Sequence, residues 1–225
     1  MDKVEIIDVK DNVLSKNEVE AEKVRTLLKE KKVFQINLMS SPGSGKTTLL
    51  CALIPLLTKR GYHVSVLEAD IDGDVDAHTI LEKTKAKSVQ LHTMGACHLT
   101  AQMTYDALNK VDLDDVDVVF LENVGNLVCP AEFDTGSDLN MMLLSVPEGD
   151  DKPLKYPLMF QVSNYVLVTK MDVLPVFDFN FEDFKERVEK LNPNAEIFTV
   201  SSIKNEGVED VAESLADLIE AKIQK

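Results

Sequence analysis

Near-continuous apolar runs of strand length recur along the chain: VFQINLM (33–39), HVSVLEA (63–69), DVVFLEN (117–123), MMLLSV (141–146), NYVLVT (164–169) and EIFTV (196–200). Runs of this kind, with little polar alternation, predict strands covered on both faces. Between them the apolar positions switch to helical spacing, over 46–59, 98–110, 180–191 and 207–223. A further helix is predicted over about 15–31, where Ser15 and Glu18 have the spacing of a capping box. Pro55 falls inside the 46–59 segment and predicts a kink or an early end there. Strands alternating with helices predict an α/β fold, a mainly parallel sheet with helices on both faces. The 225 residues suit a single domain over 1–225.

The first strand runs into SSPGSGKTT (40–48), which in turn enters a helical stretch. That strand–loop–helix context is the one a phosphate-binding loop requires, and it makes the fold that of a P-loop NTPase. Gly43 and Gly45 let backbone N–H groups, with those of Ser44 and Thr48, turn around phosphate oxygens at a helix N-terminus. Lys46 is placed to reach the β- and γ-phosphates, and the Thr47 hydroxyl to ligate Mg²⁺. The usual first glycine of the motif is Ser40 here.

Two later segments bear on which nucleotide is held. TKMD (169–172) ends a strand where GTPases carry N-K-x-D, with Asp172 to read the guanine N–H donors and Lys170 to stack on the ring. A site built around that carboxylate disfavours adenine, which leaves it unpaired. The tetrapeptide alone also fits a solvated charge pair at a strand end. ENVG (122–125) resembles D-x-x-G, with Glu122 as a candidate for holding a Mg²⁺-bound water and Gly125 for sensing the γ-phosphate. Asp70, at the end of the second strand, is a further candidate Mg²⁺ ligand. The rest of its acidic run, through Asp76, lacks the glycine position and final Glu of a calcium loop and reads as a solvated face. Ser201 to Lys204 are placed to close a loop over the base. With no evident catalytic Gln or arginine finger, hydrolysis is expected to be slow.

Charge and cysteine content narrow the setting. Asp and Glu outnumber Lys and Arg by 39 to 24, so the surface repels nucleic acid. No apolar stretch approaches bilayer length, and MDKVEIIDVKDN carries no signal pattern, which points to the cytoplasm. Cys51, Cys97 and Cys129 do not form a disulfide framework. Cys51 lies among Leu50, Leu53 and Ile54 and reads as core. Cys97-His98, after Gly95, and Cys129, before Pro130, supply thiolate and imidazole suited to Zn²⁺ or Ni²⁺. Spacing alone leaves two readings open, a metal site or structural side chains. Pro130 is expected to hold Cys129 in an extended loop. The sequence pattern alone suggests no partners for His63, His78 and His92.

SSPGSGKTT, GACHL (95–99), ENVGNLVCP (122–130) and SVPEGDDKPLKYP (145–157), in this order, resemble the hydrogenase nickel-incorporation GTPases of the HypB family, within the SIMIBI class. The resemblance runs from about residue 16 to the C-terminus. It implies a GTPase that binds GTP or GDP with Mg²⁺, dimerises with nucleotide and assists nickel insertion into [NiFe]-hydrogenase. It also implies a Zn²⁺ or Ni²⁺ site of Cys97, His98 and Cys129 at the dimer interface, and partners in another maturation metallochaperone and the hydrogenase precursor. The nucleotide site it implies comprises Gly43 to Thr48, Asp70, Glu122, Lys170 and Asp172. Gln102 stands where some members have His, and Ala69 and Thr169 where Gly and Asn are commoner. The competing readings are a urease-accessory type of GTPase, a P-loop ATPase or kinase with structural Cys and His, and an adaptor that holds GTP without turnover.

Overall fold

The computed structural model describes residues 9–70, 73, 75–93 and 95–223. Its strands are β1 Phe34–Ser40, β2 Val64–Asp70, β3 Lys87–His92, β4 Val118–Glu122, β5 Leu139–Ser145, β6 Tyr165–Thr169 and β7 Glu196–Thr199. They form one seven-stranded sheet in the order β3-β2-β4-β1-β5-β6-β7, and every neighbouring pair is parallel. The helices are α1 Val9–Lys31, α2 Lys46–Lys59, α3 Val75–Thr84, α4 Ala101–Leu108, α5 Cys129–Glu132, α6 Lys152–Lys155, α7 Pro157–Val162, α8 Phe181–Leu191 and α9 Val208–Ile223. No helix of the described residues is long and apolar enough to cross a membrane.

The sheet is buried on both sides because successive side chains of a strand point to opposite faces. On β4, Val118 and Phe120 join a core with α2 and α9, whereas Val119 and Leu121 join one with α1 and α4. A third core lies where Met142 and Leu144 of β5 and Val166 and Val168 of β6 meet Phe160 and Phe184. Each fully buried Leu or Phe contributes about 1.5–3 kcal/mol relative to exposure. One polar row crosses this interior. The Asn123 amide donates to Asn37 Oδ1 (3.1 Å), Asn37 donates to Asn140 Oδ1 (3.0 Å), and Asn140 donates to the Val162 carbonyl (3.1 Å).

Several expectations need correction. The first helix begins by Val9, so Ser15 lies inside it and does not cap it. Residues three apart share a face within a helix as well as at its start, so the Ser15/Glu18 spacing is ambiguous. Helix α2 continues through Pro55 to Lys59. Pro55 is on the exposed side, while Leu49, Leu50, Leu53, Ile54 and Leu57 are buried and carry the helix on past it. The helix expected from 98 starts at Ala101, capped by the Thr100 hydroxyl, which accepts from the Met103 N–H. Strand β3 was not predicted; it is an edge strand paired only to β2, and its half-exposed residues form no apolar run. Helix α3, also unpredicted, rises out of the acidic run. Cys129 opens the short helix α5, with Pro130 in its first turn, where a missing N–H costs nothing.

Candidate functional site

Loops leaving the carboxyl ends of the strands meet where β1 lies between β4 and β5, the switch point at which open α/β sheets bind ligands. The loop between β1 and α2 is shaped by Gly43 (φ 76°) and Gly45 (φ 99°), both in the left-handed region where a Cβ is strained. Its outer wall is braced from neighbouring strands. The Thr169 hydroxyl donates to the Ser44 carbonyl (2.7 Å), and Lys170 Nζ donates to the Gly43 carbonyl (2.7 Å). Thr169 therefore ties the phosphate loop directly from the position where Asn is commoner. Glu148 Oε1 accepts from the Ser145 N–H (2.9 Å) and lies 2.7 Å from Ser44 Oγ. Lys46 Nζ donates to Ser40 Oγ (3.1 Å), so the serine in place of the first glycine holds the phosphate-loop lysine.

Two cavities flank this loop. One, about 280 Å³, is lined by Ser44, Thr48, Thr169, Lys170, Asp172 and Ile203. There Asp172 accepts a hydrogen bond from Ser201 Oγ (2.7 Å). That bond holds its carboxyl below the usual carboxylate range. An ionised acceptor, Lys170 and the 202–203 loop thus line a space that can take a purine.

The other cavity, about 240 Å³, brings Lys46, Asp70, Glu122 and Gly125 together with Glu68 and Asp76. The Thr47 hydroxyl donates to Glu122 Oε1 (3.2 Å). Burial pushes the Glu122 carboxyl up to about 7, against the opposing pull of the Lys46 charge. Glu68 is pushed up to about 8, by burial first and then by the charge of Glu122. Glu68, Asp76 and Glu122 each place an oxygen within 4.8 Å of the others. Glu68 Oε2 and Glu122 Oε2 are buried without a hydrogen-bond partner. A hard divalent cation fits this donor set, since it neutralises carboxylates that burial otherwise drives toward protonation. Glu68 and Asp76 were not singled out in the sequence. Glu68 looks like any strand residue, and Asp76 reads in the sequence as part of a solvated acidic face.

Gly125 lies directly against the phosphate loop: a Cβ there would meet Pro42 Cα, Cγ and N at 3.0 Å. Beyond it the chain reaches Cys129, whose Sγ is 3.1 Å from Cys97 Sγ. Cys97 Sγ is in turn 3.7 Å from His98 Nδ1, and the three ligand atoms all lie within 4.8 Å of one another. The His98 ring stacks on Phe133, with centroids 3.9 Å apart. Asn126 joins the two loops, donating to the Cys97 carbonyl (3.3 Å) and accepting from the Val128 N–H (2.8 Å). Burial lowers the His98 pKa and favours the neutral imidazole a metal needs. The hydrogen bond with Cys97, then burial, raises that of Cys129. Two thiols and an imidazole suit a borderline-soft ion such as Zn²⁺ or Ni²⁺ and leave coordination positions open.

Gln102 donates to Asp106 Oδ1 on its own helix (2.9 Å). His63 sits 3.7 Å from Asp117, remote from the cluster in the chain's topology. Cys51 packs against the core, and burial raises its thiol pKa. The acidic EGDD stretch is structural in its contacts: Glu148 braces the phosphate loop, Asp150 pairs with Arg187 (2.6 Å) and Asp151 with Lys155 (2.5 Å).

The sequence profile described as CobW/HypB/UreG, nucleotide-binding domain, matches residues 34–199. The chain is 42% identical over 220 residues to the hydrogenase/urease maturation factor HypB of Helicobacter hepaticus, covering 96% of this chain and 88% of that protein. To the hydrogenase maturation factor HypB of Escherichia coli K12 it is 42% identical over 204 residues, covering 91% and 70%. The crystal structure of HypB from Helicobacter pylori in complex with nickel matches with a TM-score of 0.86 at 37% identity, over 93% of this chain and 98% of that one.

Proposed function

The chain belongs to the CobW/HypB/UreG family, in its HypB branch, and from that premise we propose that it is a GTP-hydrolysing metallochaperone that carries nickel or zinc in the maturation of [NiFe]-hydrogenase. The observation that carries this reading is the thiol–imidazole–thiol cluster of Cys97, His98 and Cys129, joined to the nucleotide cavities by the short segment Gly125–Cys129. Metal is the cargo. GTP hydrolysis is the event that changes how the cargo is held.

In this reading residues 1–225 act as one nucleotide-binding domain. The N–H groups from Gly43 to Thr48 cradle the phosphates, Lys46 offsets their charge, and Lys170 and Asp172 select guanine. Asp172 is already ionised and oriented by Ser201, so it accepts the two guanine donors without rearrangement. Thr47, Asp70 and Glu122 would hold Mg²⁺, with Glu68 and Asp76 completing the carboxylate wall. When bound there, Mg²⁺ supplies charge neutralisation at the β- and γ-phosphates. Gly125, packed on Pro42, moves with the phosphate loop as the γ-phosphate leaves. Turnover is slow, because phosphoryl transfer relies on positioning and the chain offers no evident Gln or arginine finger in cis.

The three metal ligands leave sites that a second copy fills, so the working form is a nucleotide-dependent homodimer. Its partners are a second maturation metallochaperone and the hydrogenase precursor, in the cytoplasm.

Two assays test the reading on purified protein. Phosphate release is expected from GTP and not ATP, and Asp172→Asn is expected to weaken GTP binding about 30-fold, the loss of one charge-assisted contact. Equal turnover of ATP and GTP would overturn guanine selection. Equilibrium dialysis with Zn²⁺ and Ni²⁺ is expected to show Cys129→Ala binding about 100-fold more weakly. Unchanged binding in that variant would return the cysteines to a structural role.

A further inference from the structure

The metal ligands arrive on two stretches of chain. Cys129 follows Glu122 and Gly125 on the same segment, so a movement at the nucleotide cavity reaches it along the backbone. Cys97 and His98 lie on the connection between β3 and α4 and have no such continuity with β4. A cluster whose two halves responded separately would be pulled apart rather than switched.

The two halves meet at one buried amide. Asn123, the residue after Glu122, is fully buried. Its Oδ1 accepts from the Leu99 N–H (3.2 Å), one residue beyond His98, and from the Val124 N–H (2.9 Å). Its Nδ2 donates to Asn37 on β1 (3.1 Å), and its own N–H donates to the Leu38 carbonyl (3.0 Å). Leu99 is itself anchored, its side chain buried in the same core as Leu121 and Val124. The Asn123 side chain is thus fixed to the sheet beside the phosphate loop on one side and to the His98 connection on the other. Asn126 also joins the two loops, but its bonds begin beyond Gly125 and reach only the Cys97 carbonyl, whereas Asn123 ties the His98 side of the connection to the end of β4 itself.

We propose that Asn123 is the positioning residue that makes the Cys97–His98 half of the metal site respond to the nucleotide state sensed at the end of β4. The inference rests on the metallochaperone reading above. A displacement of Glu122 as it engages the bound nucleotide carries Asn123 with it, and Asn123 carries the Leu99 N–H. Cys97, His98 and Cys129 then move together.

A purely structural amide would affect folding or metal affinity in every nucleotide state alike. A relay affects the ratio between states. The test is Zn²⁺ titration of the full chain with GDP and with a non-hydrolysable GTP analogue, in the unaltered protein and in Asn123→Ser. A ratio of metal Kd between the two states of about 5-fold or more is expected in the unaltered protein, collapsing to about one in the variant. A ratio that survives in Asn123→Ser overturns the relay and leaves the metallochaperone reading intact. A ratio of one in the unaltered protein overturns the nucleotide switch and the relay with it. If the variant does not fold, amide exchange of Leu99 in the unaltered protein decides. Exchange that changes about 5-fold or more between GDP and the analogue supports the relay, and equal rates overturn it.

Discussion

The nucleotide cavities and the thiol–imidazole cluster share the carboxyl edge of the sheet, yet they are held in place very differently. Around the phosphate loop, positions are fixed several times over: Thr169 and Lys170 reach it from β6, Glu148 from the turn after β5, and Gly125 lies against Pro42. The thiol–imidazole cluster has two loops, a stacked Phe133 and the side-chain amides of Asn126 and Asn123. Cys97 is exposed. A nucleotide must be oriented for chemistry, which calls for rigid walls. A metal meant to be passed on must remain reachable, which calls for few.

The sharpest way to break this contrast is Lys46→Ala. Phosphate release is expected to fall about 100-fold or more with loss of that charge, while Zn²⁺ binding without nucleotide stays within about 3-fold. A matching collapse of metal binding would mean the two regions are one rigid unit. A smaller effect is expected from Thr169→Val, which deletes the hydroxyl bond to the Ser44 carbonyl. GDP affinity should drop about 5-fold, the worth of one such bond, and an unchanged affinity would show the loop to be adequately braced without it. Smallest is Phe133→Leu, which removes the ring stacked on His98. About a 3-fold weaker Zn²⁺ affinity is expected with nucleotide binding untouched, measured in parallel titrations.

Much of this division was legible in the chain. Buried strands announce themselves because both faces are covered, so β1, β2, β4, β5 and β6 each left an apolar run; the edge strand β7 left one through Ile197 and Phe198, which pack on the cores. The other edge strand, β3, did not, because polar Lys87, Ser88, Gln90 and His92 break up its two apolar residues, none of its side chains being fully buried. The phosphate loop was legible because glycine, lysine and threonine at fixed spacing have few other uses. Cys97, His98 and Cys129 were legible as chemistry, but only the fold brings residues 32 apart within contact. Glu68 and Asp76 were hidden for opposite reasons: a carboxylate inside an apolar strand attracts no notice, and one in an acidic run attracts the wrong kind. Asn123 was hidden because an isolated asparagine gives no sign of what its amide will join.

The amide row through Asn123, Asn37 and Asn140 has a direction, since each side chain donates to the next and the last donates to a backbone carbonyl. No member can be exchanged for an apolar residue without stranding its neighbour's donor or acceptor in the interior. Divergence at these three positions is therefore expected to be all or none. A descendant lineage keeps the whole row or rebuilds it at one stroke, and single replacements should be found only where a second change nearby has already supplied the missing partner.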